Sequence, residues 1–397
     1  MNKNICIIAP LALPIPNVKG GAIETLITNL VENNEKNKKI NITVISVYDK
    51  STFKIAKKYK YTKFIYIKKG IVGNIINFIK RAFRKITKNK KIIPYYYKKI
   101  FKILQTNDMF DYIIAEGSEE RCFKYLLEKT TYKKEQLIAH IHYHSLADVN
   151  LDEIFGKIIT VSEFVKNEWL RTSKDKKEQD VKVLMNGIDL KKFDLELSSK
   201  KRNELRDKYG FKKDDFIVIY CGRIIKVKGV KELVQAIKKI KDNNIKLLIV
   251  GSPNFSIRKK SKYLRDFKKS ISDCKERIKY TGYIDNSELY KYYKSADIMI
   301  VPSLWEEAAG LVCIEGMISK KPLIITKSGG MVEYATEDCA IQIERNDKLI
   351  DNIVAAILDL KTNRNKYKSI QEQGYERAKS FSSEKYYENF CKIIQEM

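Results

Sequence analysis

The stretch that most constrains this chain runs from Ala296 to Met317. It opens on Ala296-Asp297-Ile298-Met299-Ile300-Val301, and Pro302 follows at once. A short, nearly continuous apolar run fits a strand buried on both faces, and proline, which has no N–H to donate, ends it. Glu307 then falls on a loop at the C-terminal edge of that strand. A helical spacing begins near Gly310 and runs through Leu311, Val312, Ile314 and Met317. Strand, loop and helix in this order form the repeating unit of a doubly wound parallel α/β sheet.

The same stretch carries chemistry. Glu307 and Glu315 stand at a Glu-x7-Glu spacing. The amides of Gly310, Leu311 and Val312, at a helix N-terminus, attract phosphate, and two carboxylates accept hydroxyl hydrogens. Phosphate together with hydroxyls describes a nucleotide sugar. Glu315 lies in an otherwise core-facing run, where a carboxylate is costly unless hydrogen-bonded, and a ribose diol would serve. The competing reading is two solvated glutamates flanking a short helix.

At 397 residues the chain exceeds the size of one comfortable core, so two domains are expected, 1–190 and 191–376, with a final segment 377–397. In the first, strands are expected before Pro10 and at Ile42–Val47, Phe64–Ile67, Tyr112–Ala115, Leu137–His142, Lys157–Ser162 and Val181–Met185. Gly20-Gly21 sits at a strand-to-helix turn, where backbone amides approach an anion closely. Asn186-Gly187-Ile188-Asp189 has turn chemistry and marks the exit. The second sheet is expected at Phe216–Gly222, Lys246–Gly251, Ile278–Tyr283, Ala296–Val301 and Pro322–Thr326. Between the first of these and its helix come Gly222, Arg223 and Lys228-Gly229. Arg223 as a fork and Lys228 as a point charge suit a diphosphate, or are two surface charges among many. Ser328-Gly329-Gly330 repeats the tight turn after the last strand.

Seven cysteines scattered singly show neither a disulfide framework nor zinc spacing, which fits a reducing cytoplasm. The opening residues run straight into a strand, and no apolar stretch is long enough to span a bilayer, so a soluble or peripheral protein is expected. A net charge of +28 calls for a polyanion: nucleic acid, an anionic membrane face or a phosphorylated small molecule. The stretch Ile71 to Ile86 is apolar at helical spacing, with Lys80, Arg81, Arg84 and Lys85 elsewhere on it, and the basic, aromatic run Pro94 to Phe101 follows. Such a helix lies on an anionic bilayer or docks on the sheet with its lysines in water. All three histidines fall in His140-Ile141-His142-Tyr143-His144. Alternation would place them on one face, as a metal would want, but no carboxylate or cysteine cluster accompanies them. A strand-end histidine touching substrate is the expectation, and no metal.

Several of these motifs, in this order, resemble the retaining glycosyltransferases of family four, with the two-Rossmann GT-B fold. They are Gly20-Gly21, Val161-Ser162-Glu163-Phe164, Asn186-Gly187-Ile188-Asp189, Gly222-Arg223 with Lys228-Gly229, Gly282-Tyr283, the Glu307-to-Glu315 motif and Gly329-Gly330. The resemblance spans nearly the whole chain. It implies two doubly wound domains facing a central cleft, the acceptor on the first and the donor on the second, with the last helix returning to the first. It implies transfer of a sugar from a nucleotide-diphosphate donor, most often UDP-linked, to a glycan or lipid-linked acceptor hydroxyl, with retention and by front-face attack. In that reading Arg223, Lys228 and the amides near Gly310 oppose the charge of the leaving group, Glu315 holds the ribose and Glu307 contacts the sugar. His142, with His140 in reserve, is the first-domain histidine near the donor sugar, and Asn186 and Tyr283 line the donor site. The acceptor chemistry implied is surface polysaccharide assembly at the inner membrane face. No metal or other cofactor is implied, and the chain has no Asp-x-Asp pair. Two departures, Gly316 where alanine is usual and Ala308-Ala309 after the first glutamate, put the sugar's identity in question. A sugar-nucleotide epimerase of the same fold and a basic nucleic-acid-binding protein are the rivals. Glu307 and Glu315 would repel nucleic-acid phosphates.

Overall fold

The computed structural model describes residues 2–68, 95–106, 110–117, 120–144, 147, 149–253 and 262–397. The stretch from Ile71 to Ile86, with Lys80, Arg81, Arg84 and Lys85, lies outside them. The chain divides into two units, Met1–Met185 with Tyr386–Met397, and Asn186–Lys385.

The first unit is built on β1 (Asn4–Ile8), β2 (Asn41–Val47), β3 (Thr62–Ile67), β4 (Tyr112–Glu116), β5 (Leu137–Ile141), β6 (Lys157–Thr160) and β7 (Val181–Val183). Among the described residues they pair in parallel in the order β3-β2-β1-β4-β5-β6-β7. Strands such as Ile5-Cys6-Ile7-Ile8 are buried on both faces, which is why their sequences read as unbroken apolar runs rather than alternating ones. The order reverses between β1 and β4, and at such a switch point the loops leaving the strands splay apart and leave room for a ligand. Gly20 and Gly21 follow β1 there, with φ of +80° and +109°, and Gly21 caps the helix Ala22–Asn37.

The second unit repeats the plan with β8 (Phe216–Cys221), β9 (Ile245–Val250), β10 (Ile278–Gly282), β11 (Ile298–Val301), β12 (Leu323–Thr326) and β13 (Ala340–Ile343), in the order β10-β9-β8-β11-β12-β13. Its switch point lies between β8 and β11. Sequence reading did not anticipate β13, whose Gln342 interrupts a short apolar run; pairing with β12 makes it a strand.

Two expectations change. The aromatic run before Phe101 forms the start of the helix Tyr95–Thr106, and Tyr96, Tyr97, Ile100 and Phe101 are buried in the first unit instead of facing a bilayer. The division falls after Met185, short of 190, and again before Tyr386, beyond 377. The reason is local pairing in the second unit: Asn186 N–H donates to Tyr334 Oη at 2.8 Å, and Ile188 bridges to Ser382. From Tyr386 onward the helix Ser383–Glu396 belongs to the first unit. There Tyr387 Oη donates to Asn34 Oδ1 at 2.7 Å and Phe390 and Ile394 are fully buried.

Candidate active site

In the second unit, three loops leave the C-terminal ends of β8, β11 and β12. The β8 loop tucks under the β11 loop: Leu304 N–H donates to Val227 O at 2.8 Å, and Gly229 takes a left-handed φ of +67°. A Cβ on Gly229 would sit 1.8 Å from the Pro302 carbonyl oxygen, so only glycine allows this approach. The contact delivers Lys228 to Glu307, with Nζ 2.5 Å from Oε1. Ser303 Oγ donates to the same oxygen, and the Lys228 ammonium lies 5.2 Å from the Trp305 ring centre. The β12 loop braces Glu307 from behind. Ser328 Oγ accepts the Glu307 N–H at 3.1 Å and donates to Trp305 O at 2.6 Å, while Gly330 N–H donates to Glu307 O at 2.7 Å.

Gly310 begins the helix Leu311–Ile318, and no side chain caps it. The N–H groups of Leu311 and Val312 belong to the first turn, where helix geometry supplies no acceptor. Glu315 is on this helix, one to two turns in. Tyr293, fully buried on the helix Leu289–Ser295, donates its hydroxyl to Glu315 Oε2 at 2.7 Å. Burial pushes the Glu315 carboxyl up to about 7, a rise that the Tyr293 hydrogen bond reduces. The same crowding pushes the Cys221 thiol up to about 12, through its burial first and the nearby Glu315 second. Arg223 and Tyr283 are exposed, and the Arg223 carbonyl accepts from Tyr220 Oη at 2.9 Å. Asn186 is buried with its Oδ1 unpartnered among the described residues. Gly222 continues the sheet, its N–H donating to Val250 O.

In the first unit, Glu116 at the end of β4 accepts from two histidines. His140 Nδ1 lies 3.1 Å from Oε1, and His142 Nε2 binds Oε2. The two rings lie 3.9 Å apart, centre to centre. Despite complete burial the two imidazoles hold the Glu116 carboxyl below the usual range, while burial and then His140 push His142 down. Glu24, on the first turn after Gly21, is buried as well; burial chiefly, with a contribution from Glu116, raises its pKa. No carboxylate stands beside the histidines in the sequence, and strand alternation would set all three on one face. The structure supplies the carboxylate from the neighbouring strand and sends His144 elsewhere, 3.6 Å from Glu168, because β5 ends at Ile141 and alternation ends with it.

Among the described residues, Glu116, His140 and His142 are the one group of three with ligand atoms close enough together to hold a cation, all within 4.8 Å. Their geometry fits a metal poorly. Histidines on a metal usually place the other ring N–H on an acceptor, and here His140 Nε2 and His142 Nδ1 are buried without a partner among the described residues.

Thus Lys228, Glu307, Gly310, Leu311, Val312 and Glu315 come together in one unit, and Gly20, Gly21 and His142 in the other. Ser303, Ser328, Tyr293 and Glu116 were not anticipated. Glu116 had a legible signal, an acid closing the apolar run Tyr112 to Ala115, the same signal that singled out Glu315.

Known proteins share this fold and part of this sequence. Residues 201–377 match the family model of glycosyl transferases group 1. An uncharacterized glycosyltransferase of Methanocaldococcus jannaschii is 32% identical over 181 residues, a match that spans 45% of this chain and only 44% of that protein. The lipopolysaccharide 1,2-N-acetylglucosaminetransferase of Salmonella typhimurium is 27% identical over 338 residues, 80% of each chain. The Anabaena protein Alr3699/HepE, solved in complex with UDP-glucose, superposes with a TM-score of 0.72 at 15% identity, covering 99% of both chains. The chain shares the GT-B fold with this solved structure, and its residues 201–377 are similar to the glycosyl transferases group 1 family.

Proposed function

We propose that this enzyme moves a sugar from a nucleoside diphosphate, UDP in the first instance, to a hydroxyl of a glycan or lipid-linked acceptor. The anomeric configuration is retained, no metal is required, and the product feeds surface polysaccharide assembly. The observation that carries the reading is the meeting of the Lys228–Glu307 pair with the uncapped start of the helix that bears Glu315. The UDP-glucose complex of the Anabaena protein and the activity named for the Salmonella relative support the donor class and the polysaccharide role.

The bond that breaks joins the anomeric carbon to a phosphate oxygen, and negative charge grows on the departing diphosphate. The Arg223 fork, the Leu311 and Val312 amides and the Lys228 ammonium oppose that charge. Lys228 has three N–H donors, and Glu307 occupies one. The acceptor oxygen bonds to the same face of the carbon, and the leaving phosphate oxygen takes its proton, so neither glutamate acts as nucleophile. Glu307, anchored through Oε1, offers Oε2 to a sugar hydroxyl. Glu315, anchored through Oε2, offers Oε1 to the ribose diol. His142, held against Glu116 in the first unit, is the histidine assigned to substrate. Arg223→Ala and Glu315→Gln are each expected to lower turnover about 100-fold or more in a folded protein, and wild-type turnover to survive excess chelator. Near-normal rates in either variant would remove the site assignment. UDP release only when an acceptor is present would exclude the epimerase, and tight DNA binding indifferent to UDP would favour the nucleic-acid reading.

A peripheral membrane face is part of this proposal. The helix Lys50–Ala56 exposes Phe53 (43%) and Ile55 (37%) among the exposed Lys50, Lys54, Lys57 and Lys58. Binding to anionic vesicles that weakens as salt rises, and weakens further in Lys54, Lys57 and Lys58→Gln or in Lys80, Arg81, Arg84 and Lys85→Gln, is the expected result of co-sedimentation. A protein that stays in solution at low salt contradicts it.

A further inference from the structure

The chain has two tryptophans, and the fold treats them oppositely. Trp169 is fully buried in the first unit, where its Nε1–H donates to Asp152 Oδ1 at 3.3 Å. Trp305, on the β11 loop of the second unit, is 40% exposed. One exposed ring signifies nothing by itself. What distinguishes Trp305 is the frame that holds it. Leu304 N–H donates to Val227 O on one side and Glu307 N–H to Ser328 Oγ on the other, while the Trp305 carbonyl itself accepts from Ser328 Oγ at 2.6 Å. Beside it Glu306 is paired with Arg345. The ring is therefore carried on fixed backbone. Lys228 Nζ lies over it, 5.2 Å from its centre, and 2.5 Å from Glu307 Oε1, so indole, ammonium and carboxylate form one continuous wall at the C-terminal end of the sheet. The cation contributes about 0.5–1 kcal/mol at such an exposed position and leaves much of the ring open.

We propose that Trp305 is a specificity-determining residue, stacking its open indole surface on the C–H face of the donor's pyranose ring so that the site separates a sugar nucleotide from the bare nucleotide. This rests on the transfer reading above, in which Glu315 takes the ribose, the helix amides and Lys228 the diphosphate, and Glu307 a sugar hydroxyl. Trp305 stands two residues from Glu307, at the sugar end of that series, and all of these residues belong to the second unit. A pyranose turns its hydroxyls outward around a rim and its C–H bonds toward its faces. The carboxylate suits the rim, and the electron-rich indole face suits the weakly positive C–H bonds. Tryptophan on a fixed loop offers a large contact area with little conformational freedom left to lose. The competing role is purely local: the ring would shield the Lys228 stem and so act on the diphosphate.

Tryptophan fluorescence of the whole protein separates the two rings, because a neutral quencher such as acrylamide reaches the exposed Trp305 and not the buried Trp169. The expected result is that saturating UDP-glucose or UDP-N-acetylglucosamine shields Trp305 from acrylamide and saturating UDP does not. Equal shielding by UDP alone would put the ring on the nucleoside or the phosphates and overturns the proposal. By calorimetry, Trp305→Ala is expected to weaken binding of the sugar nucleotide about tenfold while UDP affinity is unchanged, and Trp305→Phe to keep part of the difference. A ring that only steadied Lys228 would cost UDP as much as the sugar nucleotide, so an equal loss for both overturns the proposal too. If Trp305→Ala does not fold, the wild-type quenching still decides. If neither UDP-sugar binds or turns over, the transfer reading has failed, whereas a UDP-sugar that turns over while Trp305 stays open to acrylamide fails this inference alone.

Discussion

Glu307 and Glu315 are the same residue type on neighbouring loop and helix, and their surroundings treat them differently. Glu307 has a cation: Lys228 and Ser303 meet one of its oxygens. Among the described residues Glu315 has only the neutral Tyr293 hydroxyl, so burial pushes its carboxyl from 4.5 up to about 7. The sign follows. Below pH 4.5 Glu315 is protonated in folded and unfolded chains alike and its burial costs nothing. As pH rises from 4.5 the unfolded chain ionises first, native stability falls, and the loss is complete once pH has passed through about 7. Glu315→Gln is expected to stabilise the fold by about 1–3 kcal/mol at pH 8 and by little at pH 4, measured by chemical denaturation at both. On the proposed transfer reading, the same group gives UDP binding a pH dependence. Affinity in the wild type is expected to fall as pH drops through 7 and Glu315 loses its charge, and Glu315→Gln to flatten that profile in a titration with UDP.

At the scale of elements, the helix Leu311–Ile318 explains one of the two departures from the family pattern. A Cβ on Gly316 would meet Met299 Sδ on β11 at 2.4 Å, with Leu323 of β12 at 3.8 Å beyond. Gly316 therefore faces the sheet, and its identity answers to the bulk of Met299 instead of the donor sugar. Gly316→Ala is expected to cost about 1–3 kcal/mol by overpacking, Met299→Val in the same chain to return most of it, and the double variant to keep wild-type donor preference. A changed sugar preference in that double variant would return Gly316 to the donor site. The Ala308-Ala309 departure has no comparable explanation in packing. Gly229 is the sharper constraint. Its left-handed φ and its contact with the Pro302 carbonyl join the β8 loop to the β11 loop, and thereby bring Lys228 onto Glu307.

For the whole molecule, the last helix ties the end of the chain to its beginning. Tyr386, Tyr387, Phe390, Cys391 and Ile394 are buried in the core that also holds Ile5, Leu30 and Val44. Phe390→Ala is expected to cost the first unit about 3–5 kcal/mol while leaving the second intact. Hydrogen exchange would show this as lost protection in β1, β2 and β4 with β8, β11 and β12 unchanged; a uniform loss across both would contradict it.

What the amino-acid sequence determined by itself is what depends on near neighbours. Apolar runs closed by Pro10 or Pro302 made buried strands, glycine pairs at 20–21 and 329–330 made turns, and a carboxylate in an apolar helix marked Glu315 as a candidate site residue. These signals survive in one dimension because strand and helix periods and turn chemistry act over a few residues. Tertiary structure alone decided the pairings. That Lys228 meets Glu307, Tyr293 meets Glu315 and Glu116 meets two histidines depends on strands becoming neighbours out of sequence order, β8 beside β11 and β4 beside β1 and β5. The inward turn of the Tyr96–Phe101 aromatics has the same origin, since which face of a helix is buried depends on the surface available to cover it.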